Sequence, residues 1–394
     1  MRSAVIIDGV RSPTGRGKAG GALAGVHAVE LLAQVFRGLL DRNDVDPGEI
    51  DDVIIGCVSQ AADQAATPGR GAWLAAGLPV HVPATTIDRR CGSGQQAAHF
   101  GAQGIIAGAY EAVIVGGVES MSRVPMGSAR MGADAYGPLV RERFAPGLIP
   151  QGISAELVAH KWGITREEMD GYAARSQQRA AAASEAGLFD GEIVPISAEG
   201  RVLLRRDETI RPGTTMAALG ALPPSFRTEQ GAVRFPELTW GVTAGNSSQL
   251  SDGAAALLVT SEDFATRHGL RPRARFHSFS LAADDPVIML TAIMPATGKL
   301  LRLSGLGLDD IAQIEVNEAF ASVPLAWRRE FPGADEVLNP LGGAIALGHP
   351  LGASGARIMT TMLNHLERTG GRYGLQVMCE AGGMANATII EVLN

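Results

Sequence analysis

The sequence predicts a duplicated α/β protein, two similar series of buried strands and helices with a loop-rich segment inserted between them. Three observations predict it. Short β-branched runs alternate with helix-period stretches up to residue 119. From 120 to 249 that alternation gives way to Met-, Arg- and Gly-rich sequence. It then resumes with the same layout, each half carrying a late strand that runs into a glycine pair, Gly116-Gly117 and Gly382-Gly383.

In chain order, the pattern predicts a strand at 4–8, an apolar-periodic helix at 27–42, strands at 52–57 and 84–88, a Gln/Ala-rich helix ending at 107, and a strand at 112–116. These short apolar runs read as parallel strands covered on both faces. The inserted segment carries two polar helices, near 154–162 and 166–187. Strands follow at 254–260 and 274–279, a helix through 297–303, a strand at 311–316, helices from 319 and at 355–366, and strands at 375–378 and 387–392. The expected division is 1–119 with 250–270 as one half, 120–249 as the insert, and 271–394 as the other half.

Of 394 residues 46% are hydrophobic and 50 are glycine without any G-X-Y period, which excludes disordered and fibrous classes. A net charge of -7 argues against nucleic acid or an anionic membrane as partner, so an anionic ligand needs a local basic patch. Cys57, Cys91 and Cys379 are the only cysteines, a set that fits a reducing, cytoplasmic setting without disulfides. No run approaches the ~18 apolar residues of a membrane span, and residues 1–8 lack a cleavage-like region.

Four stretches carry candidate chemistry. Cys91, in Asp88-Arg89-Arg90-Cys91-Gly92-Ser93-Gly94, stands between a strand and a helix. A helix N-terminus and two arginines favour a thiolate there, and the glycines let a carbonyl reach backbone donors; an inert buried cysteine is the alternative. His349, in Gly342-Gly343-Ala344-Ile345-Ala346-Leu347-Gly348-His349-Pro350, lies on a rigid turn that suits a general base. A phosphate cradle is the other reading, but the P-loop ending is missing. Cys379, in Cys379-Glu380-Ala381-Gly382-Gly383, repeats the pattern of a thiol at a strand end and suggests a separate acid/base thiol. Asn317 and Glu318, in Glu315-Val316-Asn317-Glu318-Ala319-Phe320, close a strand; Asn317 reads as a helix N-cap or as an amide holding a water or carbonyl, with Glu318 orienting it. No CxxC or ligand-spaced histidine supports a metal.

Taken together these motifs resemble the thiolase family, acetyl-CoA acetyltransferases and 3-ketoacyl-CoA thiolases, almost end to end. Arg11-Ser12-Pro13-Thr14-Gly15, Gly117-Val118-Glu119-Ser120-Met121-Ser122, Gly245-Asn246-Ser247-Ser248 and Ser251-Asp252-Gly253 carry the resemblance with the four stretches above. It implies a five-layered α-β-α-β-α core of two βαβαβαββ halves, with the insert as a loop domain that binds CoA. It implies Cys91 as the acylated nucleophile, His349 as its base and Cys379 as the second acid/base. His349 with a water on Asn317 would form one oxyanion hole, and the N–H groups of Cys91 and Ala381 the other. It implies no cofactor, CoA being a substrate, and a homodimer or homotetramer.

Substrate contacts are expected at Gln151, Ser248, Ala319 and Phe320, and at Arg211 and Arg227. The two arginines lie in 201–234, where six arginines meet three acidic residues for a local charge of +3. Four departures stand out: Asp88 where most members have Asn, Ala381 within the terminal Cys-x-Gly-Gly-Gly stretch, Gln151-Gly152 in place of a Met-Gly pair lining the acyl pocket, and Pro223 where a basic residue is common. They are similar to degradative actinobacterial thiolases and point to cleavage of a medium, branched or ring-bearing 3-ketoacyl-CoA. Condensation of two acetyl-CoA, or a catalytically silent lipid carrier, are the alternatives; a decarboxylating condensing enzyme is disfavoured by Cys379.

Overall fold

The computed structural model describes residues 2–393. The first half comprises β1 (Ala4–Arg11), β2 (Gly15–Arg16), α1 (Ala28–Leu40), β3 (Asp52–Gly56), α2 (Pro68–Ala75), β4 (Ala84–Ile87), α3 (Ser93–Ile106) and β5 (Ala112–Ser120). Next come α4 (Gly137–Arg143), α5 (Gln151–Lys161), α6 (Arg166–Glu185), β6 (Ile196–Ala198), β7 (Arg201–Leu204), α7 (Met216–Gly220) and α8 (Glu229–Arg234). The chain continues through β8 (Ser251–Ser261), α9 (Glu262–Arg267), β9 (Ala274–Ala283), α10 (Ile293–Ser304), β10 (Ile311–Val316), α11 (Ser322–Glu330), α12 (Ala344–Leu347), α13 (Leu351–Thr369), β11 (Tyr373–Glu380) and β12 (Met384–Val392).

The main sheet runs β4-β3-β5-β8-β1-β9-β12-β11-β10, with β2 beside β8. Only Val5 with Arg275 and Ile6 with Ala274 join β1 to β9, so this narrow seam separates the strands of the two halves. The expected parallel pairing holds for β3 with β4 and β5, and for β10 with β11. It fails at β1–β8, β5–β8, β9–β12 and β11–β12, which are antiparallel. An apolar run reports burial of both faces and not direction, and the short turn from Glu380 to Met384 cannot make the long crossover that parallel neighbours need.

Between the two sheet halves lie α3 and α13. The first packs on β3, β5 and β8, the second on α3, β5, β8, β10 and β11. Leu351 to Leu363 are buried without a break, as an all-round helix requires. On the outside, α1 covers β1 and β8, while α10 covers β9 and β12, which completes a helix-sheet-helix-sheet-helix stack. The first turn of α13 presses on the ends of β3 and β5: a Cβ at Gly352 would stand 2.5 Å from the Gly56 carbonyl and 2.6 Å from that of Val118. Only glycine allows that approach, and it brings the start of α13 to the Cys91 turn.

The elements that the periodicity does not reveal are α2, α4, α7, α8, α9, α12, β2 and the β6–β7 hairpin. No such helix exceeds eight residues and no such strand four, too short for a period to stand out.

Within α3, His99 is fully buried, with Nε2 2.6 Å from the Thr388 hydroxyl and Nδ1 without a partner. Burial first, and Arg89 second, lower its pKa to about 3. The unfolded chain binds a proton there below about pH 6.5, so stability present above that value is lost as pH falls toward 3. Melting temperature is expected to drop across this acid range, and His99→Gln to flatten the drop. Identical slopes for the two proteins in a pH series of melting curves would contradict this.

Candidate active site

Cys91 follows β4 and precedes α3, whose N-cap is Gly92. Arg90, just before it, holds the left-handed region at φ +49°, a strained conformation for a residue with a side chain. The Ser93 hydroxyl locks that turn, accepting from the Arg89 N–H at 2.8 Å and donating to the Arg90 carbonyl at 2.6 Å. Cys91 is 5% exposed and packs with Met121, Leu351, Ile358 and Met378. Burial pushes its pKa up, and charge on Cys379 and Glu380 pushes the same way. The expectation that the helix end with Arg89 and Arg90 favours thiolate is therefore corrected: Arg90 pairs with Asp88 at 3.4 Å, and burial is the largest influence on the thiol.

His349 follows α12 on a turn where Gly348 has φ +82° and a Cβ would collide with the Ser251 hydroxyl. Its backbone N–H donates to that hydroxyl at 3.0 Å. Nδ1 lies 2.6 Å from the Ser354 oxygen, and Ser354 spends its proton on the Pro350 carbonyl at 2.9 Å. The serine must therefore accept Nδ1–H, which leaves Nε2 as a bare lone pair facing the site. Burial, then Arg357, lower the imidazole pKa to about 3, so the free enzyme holds it neutral.

Asn317 and Cys379 come from the ends of the parallel neighbours β10 and β11. The Asn317 amide nitrogen is 3.4 Å from His349 Nε2 and donates to Cys379 Sγ at 3.8 Å. Burial pushes the Cys379 thiol up to about 12, and the Asn317 amide and the N–H groups of Cys379 and Ala319 pull it back. Three aimed donors thus offset part of the burial penalty on a negative sulfur at this spot. Two expectations change here. Asn317 is no N-cap, since α11 starts at Ser322 after Ala321. Glu318 accepts from Tyr172, Ser176, Asn339 and the Ile345 N–H, which ties α6 and α12 to this turn instead of orienting Asn317.

A cavity of about 550 Å³ opens over His349. Gln151, Ser248, Ala319, Phe320 and Arg211 line it, with Met121, Phe226, Leu250 and Leu351 supplying further apolar wall. Arg211 donates to Gln249 at 3.1 Å and also borders a second cavity of about 430 Å³ beside Thr214 and Gly245. Arg227 is exposed and forms no part of either wall. Arg201, Arg205 and Arg206 sit on or after β7, at a separate surface hollow or exposed beside it. Ala381 is partly buried in the turn after β11.

Sequence reasoning missed Arg16 and Lys18 at the cavity mouth, where Arg16 is paired with Glu208 at 2.5 Å. It missed Phe226, which has no local signal. Ser354 had one: a serine four residues after Pro350, at the back-bonding spacing of a helix. Among the described residues no group of three or more His, Cys, Asp or Glu is gathered to hold a metal, and no helix is long and apolar enough to cross a membrane.

Two buried cysteines at strand ends, one of them beside an asparagine amide that also reaches a neutral imidazole, stand on this layered core, an arrangement that suits acyl transfer through sulfur. The sequence matches the thiolase N-terminal domain over residues 4–263 and the thiolase C-terminal domain over 270–392, and the chain belongs to the thiolase family. A steroid 3-ketoacyl-CoA thiolase of Mycobacterium tuberculosis is 48% identical over 401 residues, spanning 100% of this chain and 95% of the relative. A 3-ketoacyl-CoA thiolase of Erwinia tasmaniensis is 44% identical, spanning 99% and 100%. The crystal structure of the Bacillus anthracis acetyl-CoA acetyltransferase superposes with a TM-score of 0.88 at 38% identity, covering 100% of this chain and 99% of that one.

Proposed function

We propose that this thiolase cleaves a 3-ketoacyl-CoA with CoA, in β-oxidation of fatty or sterol-type chains, through an acyl-Cys91 intermediate in a ping-pong cycle. The observation that carries it is the Asn317 amide standing between His349 Nε2 and Cys379 Sγ, which couples a base to a second thiol. His349 Nε2 takes the Cys91 proton, and the thiolate attacks the 3-keto carbon. The tetrahedral alkoxide collapses, the C2–C3 bond breaks, and Cys379 protonates C2 as acetyl-CoA leaves. Cys379, now a thiolate, takes the proton of the incoming CoA thiol. CoA sulfur then attacks the acyl-Cys91 carbonyl, and Cys91 departs as thiolate and recovers its proton from His349. The oxyanions rest on His349 with an Asn317-held water, and on the N–H groups of Cys91 and Ala381.

CoA is a substrate here and no other cofactor is invoked. Its phosphates meet Arg211 and the cavity-mouth residues Arg16 and Lys18, with 120–249 acting as the CoA-binding loop domain between the halves 1–119 with 250–270 and 271–394. The reading extends to a cytoplasmic homodimer or homotetramer, supported by the exposed Met126, Met131 and Leu139 in that insert.

For the acyl chain, the apolar walls and the steroid-thiolase relative favour a bulky or ring-bearing group over acetoacetyl-CoA. Thiolysis rates along a series from acetoacetyl-CoA through medium chains to a ring-bearing substrate are expected to peak at the longer or bulkier members. A peak at acetoacetyl-CoA would instead establish the acetyl-CoA acetyltransferase reading, and no turnover the silent one.

A further inference from the structure

Successive side chains of a strand face opposite ways. Cys379 faces Asn317, and the next residue of β11, Glu380, faces the central layer beneath the Cys91 turn. Glu380 is 0% exposed, and neither of its carboxyl oxygens has a hydrogen-bond partner. It lies so close to the nucleophile turn that a Cβ at Gly92 would collide with Oε1. From β12, Asn386 donates to the Gly92 carbonyl at 3.0 Å, while its own Oδ1 is buried without a partner. The charged groups facing this carboxyl are Arg89, whose buried Nε is also unpartnered, and Asp88, both from the turn ahead of Cys91. Cys91 and Cys379 each feel its charge; Glu119 on β5 also acts on Cys91, but its carboxylate is occupied by the N–H groups of Val58, Ser59 and Gly352.

We propose that Glu380 is a positioning residue for Cys91, a carboxylic acid kept neutral beneath the nucleophile turn so that the thiolate can form, and whose ionisation works against that thiolate. An ionised carboxylate with both oxygens buried and unpartnered is costly, so the neutral acid is the form the packing accepts. Burial, partly offset by Arg89 and reinforced by Asp88, pushes its pKa up to about 8. Two negative groups this close come off in sequence and not independently: whichever ionises first raises the other. Below that pH the thiolate has a neutral neighbour, and above it a repelling one.

The proposal rests on Cys91 as nucleophile, and its test reads Cys91 directly. The full-length protein and Glu380→Gln, which keeps the shape and cannot ionise, are treated with iodoacetamide, and alkylation at Cys91 is followed by peptide mass spectrometry from about pH 6.5 to 9.5. The ratio of alkaline to neutral rates is expected to be about tenfold larger in the variant, the equivalent of one pKa unit. Rates that differ by one constant factor at every pH are what a merely structural role produces, and would overturn the proposal. Should the variant not fold, wild-type protein suffices: the logarithm of the Cys91 alkylation rate is expected to rise with unit slope below about pH 8 and to flatten above it, where Glu380 ionises. An unbroken unit slope up to about pH 9.5 would sink the idea. Turnover retained by Cys91→Ser would overturn the nucleophile reading instead, without touching the alkylation comparison.

Discussion

Cys91→Ser is expected to form no acyl-enzyme with an acyl-CoA and to lower thiolysis turnover by at least about 10⁴-fold. The His349 imidazole proposed as its base is neutral, with Nε2 as its one unprotonated nitrogen and a pKa lowered to about 3. So weak a base can share the proton of a thiol as the substrate arrives, but a hydroxyl is far harder to ionise and is a poorer nucleophile in the same buried pocket. The chain would still bind CoA esters, because the cavity walls are untouched. Intact-mass measurement after incubation with an acyl-CoA separates the outcomes: an acyl adduct on the serine variant would remove Cys91 from the mechanism.

Cys379→Ser is expected to split the reaction. Acylation of Cys91 by an acyl-CoA needs no carbon acid, so the adduct should appear within a few-fold of the wild-type rate. Making or breaking the C2–C3 bond needs a proton placed on or taken from carbon, and that step should slow by about 10³-fold or more. The three donors around Cys379 Sγ, from Asn317, Ala319 and its own backbone, stabilise sulfur in its charged form and have less to offer a hydroxyl that stays protonated. Full thiolysis by this variant would show that the second thiol is a spectator; loss of the acyl adduct as well would show that the division of roles between the cysteines is wrong.

Much of the site was legible before any coordinates. Cys91 and His349 lie in stretches where a strand or a short helix yields to glycines and a turn, and such handovers are written locally. The apolar period of α1 was equally plain, and so was the duplicated layout. Strand direction was not, because a run buried on both faces looks alike in either orientation. Nor was the role of Glu318: adjacency to Asn317 suggested that it orients the amide, yet its oxygens are spent on Tyr172 and Ser176 of α6, more than a hundred residues away along the chain. Nor does a basic count over 201–234 say which arginine turns toward the cavity: Arg211 lines it, while Arg227 is exposed outside its wall.

The sequence by itself determined the family, the order of the elements, and which cysteines, histidine and asparagine could do chemistry, because residue type and local backbone demands are properties of short stretches. Tertiary structure decided how they act. The register of β10 against β11, Val316 opposite Val377, sets Asn317 beside Cys379. The bond from Ser354 chooses which nitrogen of His349 is bare, and burial sets the charge of every group in the site: neutral imidazole, protonated thiols, and a glutamic acid without a single partner. Protonation depends on the water and dipoles within a few ångströms, and those neighbours are chosen by packing from distant parts of the chain.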